Sequence, residues 1–309
     1  MLRYTLRQLE YFVAVGEAGS IALASEKVNV SSPSISAAIT QLEQEFGLPL
    51  FVRQHAQGLS LTQAGRRMLD QARLILQEAE ALNALANDIS GTARGPLAIG
   101  CLLTFAQVLL PSLRRSFEAA YPEVRVSQAE LNQAELFSAL RRADIDVALT
   151  YDMDLPADLS FTPLRQLPPL VFVNETHPLA DRDAVTATDL LSHPMVLIDL
   201  PVSSDYFLSF FSGTGGKPII AERTRDMAVM RSLVGNGFGY SFANIRPLND
   251  RSPDGHLLRF IPLVGDVSPL SVGLLMSPAA DNANVVRAFV EHVQTRSDAG
   301  DLPGLDTSS

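Results

Sequence analysis

The longest uninterrupted pattern in the sequence is a proline-free stretch from Thr62 to Ser90 that carries a heptad repeat of apolar residues. Steps of four and three residues alternate along this seam, whose members are Met68, Ala72, Ile75, Ala79, Leu82, Ala86 and Ile89. The spacing predicts one α-helix with a single apolar seam, about 40 Å long at 1.5 Å per residue. Such a helix separates an N-terminal domain from a C-terminal one. It packs either against a second copy of the chain, which we favour, or against its own domain.

Length and composition favour a soluble chain of two or three domains. The 309 residues can bury more than one core. The single cysteine, Cys101, excludes an intrachain disulfide and fits a reducing compartment. The N-terminal residues lack the features of a signal peptide, and no apolar run approaches the length of a membrane-spanning helix. We therefore expect a cytoplasmic protein without a membrane partner.

The net charge of −10 argues against a protein that coats nucleic acid along its whole length, because phosphate attraction supplies most non-specific affinity. The charge is unevenly distributed. Residues 1–67 carry six Lys or Arg and five Glu, a net charge of +1, which leaves −11 for the remainder. This distribution is compatible with a protein that binds nucleic acid only through its N-terminal domain.

The first 61 residues predict three short helices followed by a β-hairpin. Thr5 and Gln8 have the spacing of a capping box at the start of the first helix. Pro33 falls in the first turn of the third helix, where its missing N–H costs nothing. LFVRQHAQGLSLT, residues 50–62, reads as two short strands joined by a turn at Ala56-Gln57-Gly58. This order of elements is typical of a winged helix-turn-helix, in which the third helix enters the major groove.

The third helix has one apolar face, and its other face is small and polar. The apolar residues are Ile35, Ile39, Leu42 and Phe46, and those opposite are Ser32, Ser34, Ala37 and Gln41. The second group is too small to cover a core and can approach another molecule closely. The simpler alternative is that serines near a helix start only cap it.

From residue 95 onward, strands alternate with helices, which predicts a mostly parallel sheet with helices on its faces. Ligands of such sheets bind beyond the carboxyl ends of strands. Polar residues at strand-to-helix junctions are Thr104, Asn132, Ser203, Ser204 and Thr224. Each of them alone reads as a helix cap, and Arg225 alone reads as a surface cation.

The N-terminal residues resemble the LysR-type transcriptional regulators. The matching text is LRQLEYFVAVGEAGSIALASEKVNVSSPSISAAITQLEQEFGLPLFVR, residues 6–53, followed by LSLTQAGRRML, residues 59–69. The residues in the family's register are Ala24-Ser25, Ser31, Pro33, Ser36, Ile39, Leu42-Glu43, Gly47, Leu50-Phe51, Arg53, Leu61-Thr62 and Ala64-Gly65. A weaker resemblance to the family's effector domain continues through PLAIG, DIDVAL, HPLA at 177–180 and VGNGFGYSF.

The resemblance implies an α/β chain with a winged helix-turn-helix, a long linker helix and a two-lobed, periplasmic-binding-protein-like α/β domain. The corresponding ranges are 1–61 for the DNA-binding domain, 62–92 for the linker or dimerisation helix and 93–300 for the effector-binding domain. Lobe I is expected at about 93–166 and 267–300, and lobe II at about 167–266. Residues 301–309 are expected to form a disordered tail.

The function implied by the resemblance is sequence-specific DNA binding controlled by a small molecule, with no catalysis. The DNA-binding set is Ser32, Pro33, Ser34, Ser36, Ala37, Gln41 and Arg53, the last through phosphate. If the sheet is wound as in the family, the junction residues surround one cleft, and that cleft favours an anion. The implied effector-binding set is Thr104, Phe105, Asn132, Thr150, Ser203, Ser204, Thr224 and Arg225. The implied partners are promoter DNA, a small-molecule effector, further copies of the chain in a homodimer and a tetramer, and RNA polymerase. No cofactor or metal is expected.

The recognition helix departs from the family pattern. Ser32 stands where a glutamine is common, and Ala37 and Ala38 stand where arginine and glutamine are frequent. Thr40 and Gln41 likewise replace frequent cations. We therefore expect specificity to depend on serine hydroxyls, methyl contacts with thymine and DNA shape.

Two other classes of protein compete with this interpretation. One is a small-molecule binding protein whose N-terminal helices serve only assembly, and the other is an enzyme that uses the C-terminal cleft. The sequence offers no pairing of nucleophile and base and no metal-ligand spacing among its histidines. Gly235 to Gly239 precedes a strand instead of following one, which disfavours a dinucleotide loop. Cys101 is expected to be a buried structural thiol.

Overall fold

The computed structural model describes residues 3–54, 58–90, 93–278, 280 and 283–305. The chain divides into two compact units, which are Met1–Ile89 and Ser90–Ser309.

Unit 1 contains three short helices, a hairpin and a long helix. The elements are α1 (Leu6–Ala18), α2 (Ile21–Val28), α3 (Ser32–Phe46), β1 (Phe51–Gln54), β2 (Gly58–Leu61) and α4 (Gln63–Ser90). β1 and β2 pair in antiparallel fashion, with Phe51 opposite Leu61. The predicted winged helix-turn-helix order is confirmed.

Local sequence sets the ends of the helices in unit 1. Thr5 Oγ1 accepts a hydrogen bond from the Gln8 amide at 3.3 Å, and Gln8 Oε1 accepts one from the Thr5 amide at 2.8 Å. Ser31 is the N-cap of α3. Gly47 ends α3 with φ at 67°, in the left-handed region that glycine adopts without steric cost.

The apolar faces of α1, α3 and α4 enclose the core of unit 1. Its fully buried residues include Phe12, Val15, Ile35, Leu42 and Leu50. α4 contributes Leu69 and Ala72 to the same core. A Cβ on Gly65 would lie 2.0 Å from the carbonyl oxygen of Leu50, so only glycine allows the start of α4 to pass this backbone.

Unit 2 is an α/β structure with two cores. Its strands are β3 (Gly95–Cys101), β4 (Val124–Glu130), β5 (Val147–Tyr151), β6 (Ser160–Leu167), β7 (Leu170–Asn174), β8 (Val185–Thr186), β9 (Pro194–Ile198), β10 (Ile219–Thr224), β11 (Ser241–Ala243), β12 (Leu258–Val264) and β13 (Leu270–Met276). Its helices are α5 (Leu103–Val108), α6 (Leu110–Ala120), α7 (Gln133–Arg141), α8 (Ala187–Leu190), α9 (Ser203–Ser209), α10 (Met227–Gly235) and α11 (Asn284–Asp298).

Lobe I comprises β3 to β6, β13, α5 to α7 and α11. Its five-stranded sheet has the order β4-β3-β5-β13-β6. β3 is parallel to β4 and β5, whereas β13 is antiparallel to β5 and β6. Phe105, Phe117 and Phe289 are fully buried in the core of this lobe.

Lobe II comprises β7 to β12 and α8 to α10. It contains a four-stranded sheet of order β11-β7-β12-β8 and a parallel pair of β9 and β10. The chain enters this lobe between β6 and β7 and leaves it between β12 and β13. After β11, a third segment returns to lobe I far enough to place Ile245 in its core.

The sheets are more antiparallel than the sequence pattern predicted, and two strands in antiparallel pairs, β6 and β12, are hard to recognise from the sequence. Both strands contain a proline, Pro163 in β6 and Pro262 in β12, and proline argues against a strand. β6 tolerates its proline because this strand lies at the edge of its sheet. After β3 the chain forms two helices, α5 and α6, instead of one, because Pro111 begins a new first turn.

The expectation of a disordered tail is wrong for residues 301–305. Leu302 and Leu305 are 2% and 1% exposed and belong to the core of lobe I. Gly304, with φ at 76°, lies so close to the chain that a Cβ would be 2.8 Å from the carbonyl oxygen of Arg246. Burial of these two leucine side chains stabilises the segment against lobe I, although most of its other residues are polar. Residues 306–309 lie outside the described part of the chain.

Candidate functional sites

α3 presents a band of small polar and methyl-bearing side chains to solvent. Its exposed members are Pro33, Ser34, Ala37, Gln41 and Gln44. Ser32 and Ser36, also predicted to contact DNA, are half-buried at the edges of this band. Gln44 was not among the residues predicted to contact DNA. It follows Gln41 by three residues and Ala37 by seven, and this spacing places all three on one face of a helix. The band contains hydroxyl, methyl and amide groups and no cation.

Hydrogen bonds order the band. Ser34 and Ser31 share a hydrogen bond between their hydroxyls at 2.8 Å. Gln8 Nε2 donates to Gln41 Oε1 at 2.8 Å, which leaves the Gln41 amide nitrogen free to donate. The Thr40 hydroxyl donates back to the Ser36 carbonyl oxygen at 2.9 Å.

Glu43 ties the hairpin to α3. Its Oε1 accepts hydrogen bonds from the amides of Leu50 at 2.8 Å and Phe51 at 3.2 Å. The start of β1 is therefore fixed against the recognition helix by a charge-assisted pair of bonds. Arg53 lies on β1, and its side chain falls outside the described side chains. Its phosphate contact stays a prediction.

The seam on α4 divides between the core of unit 1 and solvent. Ala72 is 3% exposed, and Met68 and Ile75 are partly buried against the same core. Leu82 is 67% exposed, and Leu74, outside the predicted seam, is 52% exposed. The first half of the seam thus packs on its own domain, which was the alternative interpretation. Ala79 is half-buried, and the side chains of Ala86 and Ile89 lie outside the described set.

A cavity of about 240 Å³ lies between the two lobes of unit 2. Its walls are largely apolar and include the rings of Tyr151, Tyr206, Phe207 and Phe242. The polar residues on its wall are Thr104, Glu130, Asn132, Gln133, Ser203, Arg225 and Asn244. An apolar concavity with a few converging polar groups is typical of a small-molecule site.

Four of the eight predicted effector residues line this cavity, namely Thr104, Asn132, Ser203 and Arg225. The other four predicted residues lie next to cavity-lining residues in sequence or structure but do not themselves line the cavity. Phe105 and Thr150 are fully buried in lobe I. Thr224 accepts a hydrogen bond from the Asp226 amide at 3.2 Å, and Ser204 is half-buried outside the cavity wall. Phe105, Thr150, Ser204 and Thr224 do not line the cavity, so contact between these four residues and an effector stays a prediction.

The sequence interpretation missed several wall residues. Glu130 ends β4 and Gln133 starts α7, so both flank the predicted Asn132. Tyr206 and Asn244 lie farther along the chain, on α9 and just after β11. Junction spacing was a usable signal for Glu130 and Gln133, whereas no local pattern marks Tyr206 or Asn244.

Three polar groups on the cavity wall have unmet capacity for hydrogen bonds. The Thr104 hydroxyl oxygen is buried and has no hydrogen-bond partner within the described residues. Across the cavity, the exposed guanidinium of Arg225 pairs with no other side chain of residues that the structure describes. Asn132 Oδ1 caps α7, at 3.0 Å from the Glu135 amide, and the Asn132 amide nitrogen donates to none of the residues that the structure describes. Donors predominate among these groups, which suits an acceptor-rich ligand.

The turn before α9 is strained. Val202 has φ at 68° and ψ at −45°, a conformation that β-branched residues rarely adopt. The Ser203 amide donates to the Pro201 carbonyl oxygen at 2.8 Å, which closes a three-residue turn. The Val202 side chain packs against the core of lobe I although the turn begins a helix of lobe II. The strain, about 1–3 kcal/mol for such a residue, is held by contact between the lobes.

Cys101 ends β3 and is fully buried. Burial, together with the nearby carboxylate of Glu130, raises the pKa of the thiol to about 12. A thiol with this pKa is protonated at neutral pH and is a poor nucleophile. The expected structural role of Cys101 fits this environment.

Within the described part of the chain, no cluster of three or more His, Cys, Asp or Glu residues is arranged to hold a metal ion. None of the helices built from described residues has the length and apolarity needed to cross a membrane.

Two family models match the chain. The LysR substrate binding domain matches residues 90–298, and the bacterial regulatory helix-turn-helix protein of the lysR family matches residues 6–66. The chain is 30% identical over 296 residues to the Hca operon transcriptional activator HcaR of Escherichia coli, covering 94% of this chain and 97% of that protein. It is 26% identical over 295 residues to the DNA-binding transcriptional dual regulator OxyR of Escherichia coli, covering 95% and 96%. The crystal structure of HinK, a LysR family transcriptional regulator from Pseudomonas aeruginosa, is 34% identical with a TM-score of 0.64, covering 95% of this chain and 99% of that one.

Proposed function

Because this chain belongs to the LysR family of transcriptional regulators, we propose that a small anionic effector in the cavity of unit 2 controls its binding to promoter DNA. The observation that carries the proposal is the unpaired Arg225 on a largely apolar cavity wall, among the residues described. The effector acts by binding one arrangement of the lobes more tightly than another, and no bond is made or broken. Catalysis is not part of this function.

The cavity favours a monocarboxylate with an aromatic or branched apolar body. Four aromatic rings and several aliphatic side chains line it, which suits an apolar ligand body. Arg225 supplies a planar pair of donors that matches a carboxylate. Glu130 lines the same cavity and would repel a second carboxylate, so dianions should bind less well.

A ligand panel with two arginine variants tests this proposal. Benzoate and phenylacetate should raise the melting temperature of the full chain, and benzylamine and phthalate should raise it less. Arg225→Ala should weaken phenylacetate binding at least about tenfold, the usual cost of losing a charge-assisted bond. Arg223→Ala is the matched control, because Arg223 pairs with Asp199 at 3.2 Å and does not line the cavity. Stabilisation by cationic or neutral compounds alone would refute an anionic effector.

For DNA recognition, we propose that the exposed band of α3 reads base edges and that Arg53 contacts phosphate. The band is small enough for close approach to the major groove and is ordered by its own hydrogen bonds. The test is selection of duplexes from a random pool by the full chain, followed by a mobility-shift titration. A small-molecule binding protein whose N-terminal helices serve only assembly would select no sequence.

We also propose that the chain assembles through α4 into a homodimer and then a tetramer, and that it contacts RNA polymerase in the cytoplasm. Leu74 and Leu82 support the first step, because both expose large apolar side chains on one long helix. We further propose that residues 1–61 form the DNA-binding domain, residues 62–92 the linker or dimerisation helix and residues 93–300 the effector-binding domain.

A further inference from the structure

Tyr206 lies where the cavity meets two of the segments that join the lobes, the outgoing connection after β6 and the returning connection before β13. It belongs to α9 of lobe II and lines the cavity. Its hydroxyl donates to the carbonyl oxygen of Ser268, in the returning connection, at 2.9 Å. The same hydroxyl accepts a hydrogen bond from Asn244 Nδ2 at 2.9 Å. Asn244 Nδ2 also donates at 3.1 Å to the carbonyl oxygen of Leu167, the last residue of β6 before the outgoing connection. One phenol oxygen is thus hydrogen-bonded to the returning connection and, through Asn244, to the outgoing one.

The ring of Tyr206 is held by lobe II but also reaches lobe I. Its centroid lies 5.1 Å from that of Phe207 and 4.9 Å from that of Phe210. The ring packs against the apolar cores of both lobes. A movement of α9 relative to lobe I therefore moves the hydroxyl relative to the connections.

The hydroxyl stays neutral far above physiological pH, because burial raises the pKa of Tyr206 to about 12. A neutral phenol donates one hydrogen bond and accepts another at the same time. Both roles are used here, by Ser268 and Asn244. Hydrogen bonds of this kind weaken steeply when the donor and acceptor separate or tilt.

We propose that Tyr206 is a positioning residue that couples occupancy of the cavity to the setting of the connections between the lobes. The inference rests on the proposed function, in which an effector binds this cavity. A ligand that contacts the ring shifts the hydroxyl, and the bonds to Ser268 and Asn244 loosen or shorten with it. The two lobes then change their relative setting, because the connections are the covalent links between them.

A second buried tyrosine provides the control. Tyr240 directly precedes β11 in the core of lobe II, does not line the cavity and contacts Phe242 at a centroid distance of 5.5 Å. Its hydroxyl oxygen is buried and has no hydrogen-bond partner among the residues that the structure describes. Tyr240→Phe therefore removes a buried phenol oxygen from lobe II without removing a bond to the connections.

The experiment compares Tyr206→Phe, Tyr240→Phe and Asn244→Ala in the full chain without effector. Amide hydrogen exchange is followed at Leu167, at Leu170 and in residues 264–268 and 270–271, because the prolines of the two connections carry no amide hydrogen. Exchange there should be about threefold to tenfold faster in Tyr206→Phe, the usual effect of losing one or two hydrogen bonds. Tyr240→Phe should exchange like the parent. Asn244→Ala should resemble Tyr206→Phe, and the double variant should add little, because the residues act through one network.

The second readout is affinity for a duplex that the parent protein has selected from a random pool. Tyr206→Phe should change this affinity at least about threefold, and Tyr240→Phe should not. Unchanged exchange in Tyr206→Phe would overturn the coupling, as would faster exchange with unchanged DNA affinity. If the parent protein selects no DNA, the proposed function fails, and the exchange result still decides whether Tyr206 holds the connections.

Discussion

Thr150 Oγ1 donates a hydrogen bond to Gln133 Oε1 at 2.8 Å, and both side chains are buried next to the cavity. Gln133 Nε2 in turn donates to the carbonyl oxygen of Met153 at 3.0 Å. Thr150 therefore supports the wall that Gln133 forms, by fixing the start of α7 against β5. A buried network of this kind is strong only when each of its members is satisfied.

Thr150→Val should lower the free energy of unfolding by about 1–3 kcal/mol, because it leaves Gln133 Oε1 buried without its donor. Thr150→Ser is the control, since it keeps the hydroxyl and loses one methyl group, at a cost of about 1 kcal/mol. Urea denaturation of the two variants measures the difference. If Thr150→Val unfolded at the same urea concentration as the parent protein, the hydrogen bond would contribute nothing to stability.

Leu82→Glu should weaken self-association of the full chain at least about tenfold, or about 1.4 kcal/mol, by placing a charge on the exposed part of α4. Circular dichroism should be unchanged, because this side chain is 67% exposed in unit 1. Ile75→Glu should instead destabilise unit 1, whose core it contacts. Sedimentation equilibrium reports the first effect and thermal melting the second. An unchanged oligomer in Leu82→Glu would assign assembly to another surface.

Features encoded over a few residues were predicted well from the sequence. The capping box at Thr5 occurs as its spacing indicates, and Asn132 caps α7 as its place at a strand-to-helix junction indicates. The apolar face of α3 is also buried as its period predicts, with Ile35 and Leu42 fully enclosed. In each case the controlling interaction lies within one or two helical turns.

The cavity wall was predicted only in part, because neighbouring residues at a strand end or helix start face different ways. Adjacent residues such as Thr104 and Phe105 were both proposed, yet one lines the cavity and the other is buried in the core. The backbone direction at the junction decides which of the two side chains points into the cavity and which points into the core. Tyr206 and Asn244 depend on contacts across the two lobes, which no local spacing encodes.

DNA binding should depend weakly on salt, because α3 contributes no lysine or arginine to its exposed band. Each phosphate contact contributes about 0.9 to the slope of log affinity against log salt concentration. Arg53→Ala should lower that slope by about one contact and weaken all sequences alike. Ser34→Ala should instead change which bases are preferred. A steep slope, or an Arg53→Ala loss confined to one base position, would reverse these assignments.

Cys101 should be inert to oxidation and alkylation in the folded chain. The pKa of its thiol, about 12 against an ordinary value of 9.0, reduces the thiolate fraction at neutral pH about a thousandfold. Below this pKa the thiol stays protonated, so reactivity should increase only as the pH approaches about 12. The ratio of the iodoacetamide labelling rates of native and urea-unfolded protein measures this loss of reactivity. A change of DNA affinity with millimolar hydrogen peroxide that Cys101→Ala abolishes would show that the thiol is a sensor.

The C-terminal segment should contribute to the stability of lobe I. Leu305 is 1% exposed in that core, so Leu305→Ala should lower the free energy of unfolding by about 2–4 kcal/mol. A chain that ends at Asp301 loses Leu302 as well and should be less stable still. The matched control is a chain that ends at Leu305, which keeps both leucines and should melt like the full-length protein. If the chain ending at Asp301 also melted at the parent temperature, the packing of this segment would contribute nothing to the fold.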